Sequence, residues 1–550
     1  MTTFAIRDAG DSALLLEFEP VISPSVNAMA RGVAATLMQR QLAGVRDVVP
    51  TFRSVAVHFD PLAADVDAIR DALGSAVERP LAERAAAPVE IPVMYGGADG
   101  PDLEAVAAFA GVSEAEVIAR HSRADYRVYM LGFLPGFAYM GPVDSAIAMP
   151  RRSSPRLNVP AGSVGIAGAQ TGVYPFASPG GWQIIGRTSA TMFDPGRTPP
   201  SLLAPGDRVR FVPVSSAPSL AEPSSRSAKH VAEPSFSSVK HVAEPSFSSV
   251  KHARHVTVLK PGLFTTVQDE GRWGCQQLGV PVSGAMDLRS HRLANALVGN
   301  DASAATLEVT IAGPELRMES DTVVAITGAD LGAALDGTSV PVDAPLACQA
   351  GALLRFGTRR SGGRAYVSFG GGIAVPPTLG SRSTHVRTRM GGIGGRALRS
   401  GDLLPLGSPR QPAGSVAAEP GAVGGGARLR VMSGPQDGFF PAGALDVVLE
   451  TRFTVVSDSD RMGYRLTGDR RIPPPVHEMI SDATFAGALQ VPASGQPILL
   501  MADRQTTGGY PQIAVVITAD LPLAGQLVPG DWVEFELCSR SQALAALVAR

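Results

Sequence analysis

Two distant stretches of this chain share four short sequence elements in the same order. Each stretch contains an Arg-x-x-x-Arg-Leu, then a Val-Pro-Ala, then a Gln-Thr run that ends in Tyr-Pro, and finally a Pro-Gly-Asp. The elements span residues 152–207 and 461–531, and a weaker copy of the ending begins at Gly401. Because the order is kept while the gaps vary, we expect one structural unit to be used at least twice. We expect a functional site where such units face each other.

The composition favours β structure in these units. Glycine and proline are frequent, at 60 and 45 residues. Short apolar runs alternate with turn signals roughly every 8–12 residues, which indicates closed barrels more than open sheets. The first 85 residues differ, because they combine short strands with helical patterns near 25–42 and 63–76. The predicted fold class is therefore mostly β, with tandem barrels that follow a small α+β unit at the N-terminus.

Two spacers divide the chain. Residues 229–239 recur unchanged at 240–250, and each copy contains a proline, which is typical of a flexible linker and excludes a coiled coil. A second segment, 408–426, is rich in Pro, Ala and Gly. The predicted parts are an α+β unit over 1–85, a barrel over 86–214, a linker over 215–255, a barrel over 256–407, a linker over 408–427 and a barrel over 428–550.

Charge and cysteine content exclude several classes of function. The net charge is −2 and no basic block lies outside the first spacer, so we expect neither nucleic acid nor an anionic membrane surface as a partner. No run approaches the ~20 apolar residues of a membrane span. The three cysteines are too scattered for a zinc site or a disulfide framework. These features predict a cytoplasmic protein.

Lysine is almost absent from the folded parts. The chain has four lysines, of which Lys229, Lys240 and Lys251 lie in the first spacer and only Lys260 does not. A Walker A loop needs a lysine after its glycines, and the sequence contains no such motif. It also lacks a lysine in a biotin-attachment setting. If the protein handles phosphate, arginine and backbone N–H groups must bind it.

Two long, ordered sets of motifs resemble known families. The first runs from His121 through Gly132–Phe137 to Ser178–Trp182, and it resembles subunit 1 of the allophanate-hydrolase-like family, also called the Kip inhibitor or 5-oxoprolinase B family. The second runs from Lys260 through Gln268-Asp269, Gly284–Asp287 and Gly380–Thr384 to Asp503–Tyr510, and it resembles subunit 2, the Kip antagonist or 5-oxoprolinase C family. The resemblance implies two usually separate polypeptides fused through the first spacer. It also implies cyclophilin-like barrels, one in the first half and two in the second.

The resemblance further implies a function. It predicts a 5-oxoprolinase component that uses ATP, with Mg²⁺, to activate 5-oxo-L-proline, while a separate 5-oxoprolinase protein of the A type completes hydrolysis to glutamate. A lactam is a poor electrophile, and phosphorylation of its oxygen makes the carbon attackable. Such a step requires positioning and charge neutralisation by arginine and Mg²⁺. A homo-oligomer is left open.

Two other classes of function fit the same resemblance. Urea carboxylase carries a similar pair of domains that receive carboxylated biotin, so the chain could be a carboxyltransferase-like module acting on a urea-type amide. The absence of a biotin lysine would then require a partner carrier protein. The Kip names imply a third possibility, a regulator that inhibits a sensor histidine kinase without a catalytic site.

The catalytic candidates combine groups for proton transfer with groups for phosphate and metal. A histidine near a helix end can act as a general acid or base, or can simply cap or fill the core. Aspartates after short strands can bind Mg²⁺ or cap helices, and the identity of the metal is left open. An Asp-Arg pair beside a Gly-rich loop offers a ligand one negative and one positive charge. The candidates are His121, Arg156, Asp287, Asp503 and Arg504.

Further residues are expected to bind substrate or nucleotide. Arginines can bind carboxylates or phosphates with two parallel hydrogen bonds, and amides and aromatic rings can complete a pocket wall. These candidates come from both halves of the chain. They are Arg152, Gln170, Tyr174, Trp182, Gln268, Asp269, Arg272, Gln505 and Tyr510.

Overall fold

The fold was analysed in a computed structural model of the chain. The structure describes residues 3–77, 87–215, 254–409, 425–477 and 479–549. These ranges contain four units, which we call the N-terminal unit, the first barrel, the sheet pair and the last barrel. The two predicted spacers lie almost entirely outside the described residues.

The N-terminal unit is a four-stranded antiparallel sheet covered by two helices, as predicted. Strand order is β1-β2-β4-β3. One face of the sheet packs against the helices, and α1 turns Val26, Ala30, Val33 and Leu37 towards it at helical spacing. The elements are β1 Ala5–Asp8, β2 Ala13–Glu17, α1 Pro24–Arg40, β3 Val45–Pro50, β4 Ser54–Phe59 and α2 Val66–Ala76.

The first barrel is closed by seven strands in the order β10-β7-β6-β13-β5-β12-β9. Its first and last strands, β5 and β13, run parallel, and a separate ribbon pairs β8 with β11. The elements are β5 Val89–Tyr95, α3 Leu103–Ala110, α4 Glu114–Arg123, β6 Tyr126–Leu131, β7 Ala138–Gly141, β8 Arg156–Val159, β9 Ser163–Ala167, β10 Gln170–Val173, β11 Ser178–Gly180, β12 Gln183–Arg187 and β13 Arg208–Pro213.

The sheet pair differs from the barrel predicted for 256–407. Its strands form a six-stranded sheet, β20-β19-β22-β17-β14-β24, and a five-stranded sheet, β15-β16-β23-β18-β21, which share one apolar core. Alternating strands suit both arrangements, so the sequence pattern did not separate a pair of packed sheets from a closed barrel. The elements are β14 His255–Lys260, β15 Phe264–Gln268, α5 Leu288–Leu297, β16 Thr306–Thr310, β17 Glu315–Met318, β18 Thr322–Asp330, β19 Ala333–Leu335, β20 Thr338–Ser339, β21 Ala344–Cys348, β22 Leu353–Phe356, β23 Ser361–Phe369 and β24 Leu403–Pro405.

The last barrel is again closed by seven strands, in the order β25-β32-β29-β30-β27-β26-β33. Its first and last strands, β25 and β33, also run parallel, and a ribbon pairs β28 with β31. The elements are β25 Gly426–Ser433, α6 Ala444–Glu450, β26 Phe453–Val455, β27 Gly463–Thr467, β28 Asp482–Ala483, β29 Ala488–Gln490, β30 Ile498–Leu500, β31 Thr507–Gly508, β32 Gln512–Val516, α7 Leu521–Gly525, β33 Trp532–Leu537 and α8 Arg540–Val548.

The two barrels are copies of one topology. When each ring is read from its parallel pair, the strands follow in the same chain order, and the ribbons occupy matching places. The predicted structural repeat is therefore confirmed. The sequence elements that suggested the repeat do not all lie at equivalent positions in the two barrels. The Pro-Gly-Asp precedes the last strand in both barrels, but the Gln-Thr run starts β10 in one and lies at β31, the counterpart of β11, in the other.

The two halves of the chain are packed together through buried contacts. The second face of the N-terminal sheet shares an apolar core with the last barrel, where Leu15 and Val49 pack with Phe485 and Val515. The carboxylate of Asp11 accepts hydrogen bonds from the backbone N–H and the hydroxyl of Thr518, at 3.0 and 2.7 Å. The first half therefore lies against a surface of the second half that is apolar at its centre and polar around it.

The first barrel contacts the last barrel through a glycine-rich loop. The backbone N–H of Phe133 donates to the hydroxyl of Thr507 at 3.0 Å. A Cβ atom on Gly132 would lie 2.0 Å from that hydroxyl oxygen, so only glycine fits here. A motif that carried the resemblance of the first half, Gly132–Phe137, therefore touches the last barrel at Thr507. Across the described ranges, no helix is long and apolar enough to cross a membrane.

Candidate functional site

A cavity of about 400 Å³ lies between the sheet pair and the last barrel. Ligand pockets in proteins have volumes of roughly 300–1,000 Å³. Its wall is apolar at Phe264 and Met462. Its charged and polar lining residues are Thr310, Arg364, His385, Arg387, Ser459, Asp460, Arg461 and Asp503.

The sheet pair contributes charge to this cavity because of strand alternation. Successive residues of a strand point to opposite faces, and Leu307 and Val367 fill the core between the two sheets. The other face therefore carries Glu308, which is paired across the strands with Tyr366. Arg364 occupies the same face, two residues before Tyr366. A carboxylate and a guanidinium are thus buried on the face of the sheet pair against which the last barrel packs.

The last barrel completes a buried ion network around Arg461. This guanidinium donates to both carboxylate oxygens of Asp503 at 3.0 Å, to the carboxylate of Glu308, and to the carbonyl oxygen of Gly284 at 2.6 Å. Burial is the largest single influence on the pKa of Asp503 and opposes its ionisation. The charges of Arg461 and His385 and the hydrogen bonds from Arg461 and Ser283 together outweigh burial and hold the pKa of this carboxyl below its usual range. Asp503 is therefore an ionised group at the cavity wall.

Arg364 and Glu308 extend the network under the cavity. Glu308 accepts hydrogen bonds from the backbone N–H of Met286 and from the hydroxyl of Tyr366, both at 2.8 Å. Arg364 donates to the hydroxyl of Tyr464 at 2.7 Å, and its Nε lies 3.8 Å from Glu308. Burying ion pairs adds little net stability, and such networks cluster at functional sites. The network marks this boundary as the candidate site.

A loop over residues 378–385 places His385 at the cavity, and three predicted residues hold it. Asp269 accepts hydrogen bonds from the hydroxyls of Ser381 and Ser383, from the backbone N–H of Arg382 and from that of Gly271. Arg272 donates to the carbonyl oxygens of Thr378 and Ser383, both at 2.8 Å, and Gln268 donates to that of Thr384 at 3.1 Å. Gln268, Asp269 and Arg272 are fully or almost fully buried. They position the loop and do not line the cavity.

His385 itself is almost fully buried, at 3% exposure. Its Nδ1 lies 2.6 Å from the hydroxyl of Thr388. Burial lowers the pKa of His385 to about 4, so the imidazole is neutral at pH 7. A neutral imidazole can accept a hydrogen bond through one nitrogen and donate through the other. It can therefore contact an uncharged polar group in the cavity.

The carboxylates expected to bind Mg²⁺ are engaged elsewhere. Asp287 caps helix α5 and accepts hydrogen bonds from the N–H and the hydroxyl of Ser290 and from the amide of Gln526. The oxygens of Asp269 are saturated by the 378–385 loop. Within the described ranges, no group of three or more His, Cys, Asp or Glu side chains is arranged to hold a metal ion. These residues therefore do not fit the expected Mg²⁺ site, and Asp287 is a helix cap.

His121 lies in the core of the first barrel. It is fully buried, with Nδ1 2.8 Å from the hydroxyl of Tyr95 and Nε2 2.9 Å from that of Thr171. Its ring stacks on Phe211 with centroids 4.7 Å apart. Burial lowers its pKa to about 3. A role as general acid–base is not supported by this position, because both nitrogens are occupied and the side chain is fully buried.

The other candidates in the first barrel form two groups. Arg156 and Arg152 donate to Asp102, at 2.6 and 3.3 Å, and Asp102 also accepts from a backbone N–H on β12. Both guanidinium groups are part-exposed, so they remain accessible to a ligand. Tyr174 and Trp182 are buried in an aromatic cluster near the last barrel. Gln170 is half-buried at the start of β10.

The remaining candidates lie on the second-half loop that faces the first half. Arg504 is buried and donates to the side-chain oxygen of Gln276 at 3.0 Å, and burial lowers its pKa to about 10. Gln276 in turn donates to Asp47 of the N-terminal unit. Arg504 is thus part of the contact between the halves. Gln505 is half-buried and Tyr510 is 48% exposed.

Sequence reasoning did not select several residues of the cavity. Glu308 carried a visible signal, because a glutamate in the middle of the apolar strand β16 must be buried and therefore paired. His385 directly follows the Gly380–Thr384 stretch that carried part of the resemblance. Arg461 was noticed only as an echo of Arg152. Arg364 and Arg387 carried no local signal.

Comparison with known proteins agrees with this architecture. Residues 278–537 match the carboxyltransferase domain, subdomains A and B, and residues 4–203 match the carboxyltransferase domain, subdomains C and D. The 5-oxoprolinase C subunit of Escherichia coli (strain K12) is 39% identical over 289 residues, which are 52% of this chain and 93% of that protein. The 5-oxoprolinase B subunit of Bacillus subtilis (strain 168) is 44% identical over 224 residues, which are 38% of this chain and 93% of that protein.

A solved structure has the same arrangement of both halves. The crystal structure of TTHA0988 superposes with a TM-score of 0.82 at 36% sequence identity, and the match covers 97% of this chain and 100% of that one. Relatives of two separate subunits are therefore joined here in one chain. The chain belongs to the carboxyltransferase-domain family, with a first half related to the 5-oxoprolinase B protein and a second half related to the 5-oxoprolinase C protein.

Proposed function

We propose that this chain is the joined B and C component of a 5-oxoprolinase. It activates 5-oxo-L-proline with ATP, and a separate A-type protein completes ring opening to L-glutamate. One observation carries the proposal: each half matches 93% of a protein named as a 5-oxoprolinase subunit. The buried contacts between the halves support the proposal further. They hold together the counterparts of two separate subunits, as the contacts within a complex of those subunits would.

The chemistry of the cavity suits a small amide. The reaction needs a site where charge that develops on the lactam oxygen is neutralised by fixed groups. The cavity between the sheet pair and the last barrel offers arginine, a neutral histidine and an ionised aspartate on an apolar wall. With Lys260 as the one lysine outside the first spacer, arginine has to supply the positive charge for phosphate. Mg²⁺ enters this proposal only as the counter-ion of the nucleotide.

The test is a reconstituted reaction. The purified chain is mixed with a separately purified 5-oxoprolinase protein of the A type, and both ADP release and glutamate formation are measured. We expect ADP release to depend on 5-oxo-L-proline and glutamate formation to require both proteins. ADP release that is indifferent to 5-oxo-L-proline, or absent in the complete mixture, would contradict the proposal.

A second candidate function follows from the description of the matched family. If this chain were a carboxyltransferase, it would exchange a carboxyl group with a biotinylated carrier. It would then consume neither ATP nor 5-oxo-L-proline. The same purified chain, offered urea and a carboxylated biotin carrier, tests this alternative directly. Carboxyl transfer without activity on 5-oxo-L-proline would favour it over our proposal. A chain that lacks both activities and binds a sensor histidine kinase would instead be a regulator.

A further inference from the structure

Resting on the proposed function, we infer that the cavity between the sheet pair and the last barrel binds the cyclic amide acid, with Arg387 paired to its carboxylate and His385 hydrogen-bonded to its amide. The inference assigns the substrate to one site and gives two residues distinct roles. Neither residue was among those expected from the sequence.

The three arginines of the cavity differ in their capacity to bind a carboxylate. Arg461 is already saturated, because it donates to Asp503, Glu308 and a backbone carbonyl. Arg364 is 5% exposed and donates to the Tyr464 hydroxyl and to the carbonyl oxygen of Gly525. Breaking the hydrogen bonds of either arginine to admit a ligand would leave buried charges unpaired. The Nε of Arg364 has no hydrogen-bond partner among the described residues, but it is buried 3.8 Å from Glu308, so Arg364 and Arg461 together form the floor of the cavity.

Arg387 is the exposed arginine of the cavity, and its guanidinium keeps hydrogen-bonding capacity that a ligand can reach. Its side chain is 39% exposed, and the ion pair it makes within the described ranges is with Asp460, at 3.7 Å. Asp460 is 59% exposed, and an exposed pair at this separation contributes little free energy. A ligand carboxylate can replace Asp460 with little loss of free energy and form two short, charge-assisted hydrogen bonds.

His385 is suited to the amide rather than to the acid. Its Nδ1 is held by Thr388, while Nε2 makes no hydrogen bond to any described residue. The imidazole is almost fully buried at the cavity wall and neutral, so it offers a carboxylate a hydrogen bond but no ion pair, whereas Arg387 offers both. A neutral imidazole nitrogen can pair with the N–H or the carbonyl oxygen of a lactam. The carboxylate and the amide thus meet different residues.

The size and lining of the cavity agree with a small ring. A five-membered ring needs an apolar surface, which Phe264 and Met462 provide. The cavity volume of about 400 Å³ leaves room for a second reactant beside the ring. Ligand pockets of this kind combine apolar walls with a few polar groups that fix orientation.

Binding of three ligands to the full-length chain tests this assignment. The ligands are 5-oxo-L-proline, 2-pyrrolidinone, which lacks the carboxylate, and cyclopentanecarboxylate, which lacks the amide. Titration calorimetry is done with wild type, Arg387→Ala, His385→Asn and, as a matched control, Arg470→Ala, which removes a surface ion pair with Glu450. Loss of a charge-assisted contact weakens binding about 10- to 100-fold.

We expect Arg387→Ala to weaken 5-oxo-L-proline and cyclopentanecarboxylate but not 2-pyrrolidinone. His385→Asn should weaken 5-oxo-L-proline and 2-pyrrolidinone but not cyclopentanecarboxylate, and Arg470→Ala should change none. Equal weakening of all three ligands by either variant, or no weakening at all, would overturn the inference. So would a wild-type chain that binds none of the three. The reconstituted reaction separates the two proposals, because it can succeed while this site assignment fails.

Discussion

The first and last barrels have the same topology but place their charged residues differently. The first barrel encloses His121 between Tyr95 and Thr171 and stacks it on Phe211. The last barrel instead presents Arg461 and Asp503 at its edge, where the sheet pair supplies Glu308. One copy uses its ionisable residue to fill a core, and the other uses its ionisable residues to line a cavity.

This difference shows that a repeated fold does not carry a repeated site. The strand order fixes where the chain can pack, while function depends on which side chains meet at an open boundary. The last barrel has such a boundary because it faces a pair of sheets that bury charge on their outer side. The predictions below test this division between a structural barrel and a barrel that borders the site.

The largest effect is expected from Arg461→Ala. This change leaves the buried carboxylates of Glu308 and Asp503 without their main partner, and removing one member of a buried pair costs about 3–5 kcal/mol. The free energy of unfolding, measured in urea, should fall by that amount. The control is Arg465→Ala, an exposed arginine on β27, which should change it by less than about 0.5 kcal/mol. Similar small losses for both would show that the network is not buried as described.

His121→Ala should be the next most damaging change. It leaves a hole in the core and the Tyr95 hydroxyl without its partner, while the Thr171 hydroxyl keeps its hydrogen bond to the carbonyl oxygen of Gly165. The loss is about 2–4 kcal/mol. The unfolding midpoint should fall, while the turnover of 5-oxo-L-proline per folded molecule should stay normal. A stable variant with lost turnover would mean that the first barrel does hold catalytic machinery.

Gly132→Ala should weaken the contact between the halves. Its new Cβ would lie 2.0 Å from the Thr507 hydroxyl oxygen, and overpacking of this kind costs about 1–3 kcal/mol. The measurement is the affinity of two co-purified pieces, residues 1–215 and 254–550, which we expect to associate without the spacer. Gly74→Ala is the matched control, because nothing lies within 4 Å of the added Cβ. Unchanged affinity for Gly132→Ala would place the junction elsewhere.

The last prediction is a dependence of stability on pH. Burial lowers the pKa of His58 and His121 to about 3 and that of His385 to about 4. Below the unfolded value of about 6.5, the unfolded chain takes up protons that the folded chain does not, so stability falls as pH decreases from about 6.5 to 4. Each such proton contributes about 1.4 kcal/mol per pH unit.

Several buried acids oppose this trend, because burial raises the pKa of Asp11, Asp47 and Asp287 among others. Burial raises the pKa of Asp47 to about 6, so its proton uptake stabilises the folded state as pH falls from about 6 towards 3.8. The net slope should therefore correspond to fewer than three protons. Urea unfolding of wild type and His121→Asn between pH 7 and pH 5 measures it, and the variant should show the shallower slope. An equal slope in both proteins would contradict the burial of a neutral His121.

Much of the fold was predictable because its signals are local. Turn residues and short apolar runs indicated β structure, and the ordered motifs indicated two joined halves with barrels. The sheet pair was not predicted, because alternation along a strand is the same in a sandwich and in a barrel. The Gln-Thr echo lay on non-equivalent strands, so a correct repeat was inferred in part from matches that the topology does not support.

The site was less predictable, because its residues come from distant strands. Asp503 was selected and lies at the cavity, whereas Asp269 and Arg272 were selected for ligand chemistry and instead hold a loop. Only the packing shows that they bond to the loop that carries His385. Arg364 becomes notable only when β23 pairs with β16 and sets it beside Glu308. Such a juxtaposition has no counterpart in the linear sequence.

The most direct test of the account compares His121→Asn with His385→Asn in the reconstituted reaction. ADP release dependent on 5-oxo-L-proline is measured per folded molecule, so that any loss of stability is removed from the comparison. The account predicts a loss of at least about tenfold for His385→Asn, the scale of one lost hydrogen bond to substrate, and normal turnover for His121→Asn. The reverse result, with His121→Asn impaired and His385→Asn normal, would contradict it.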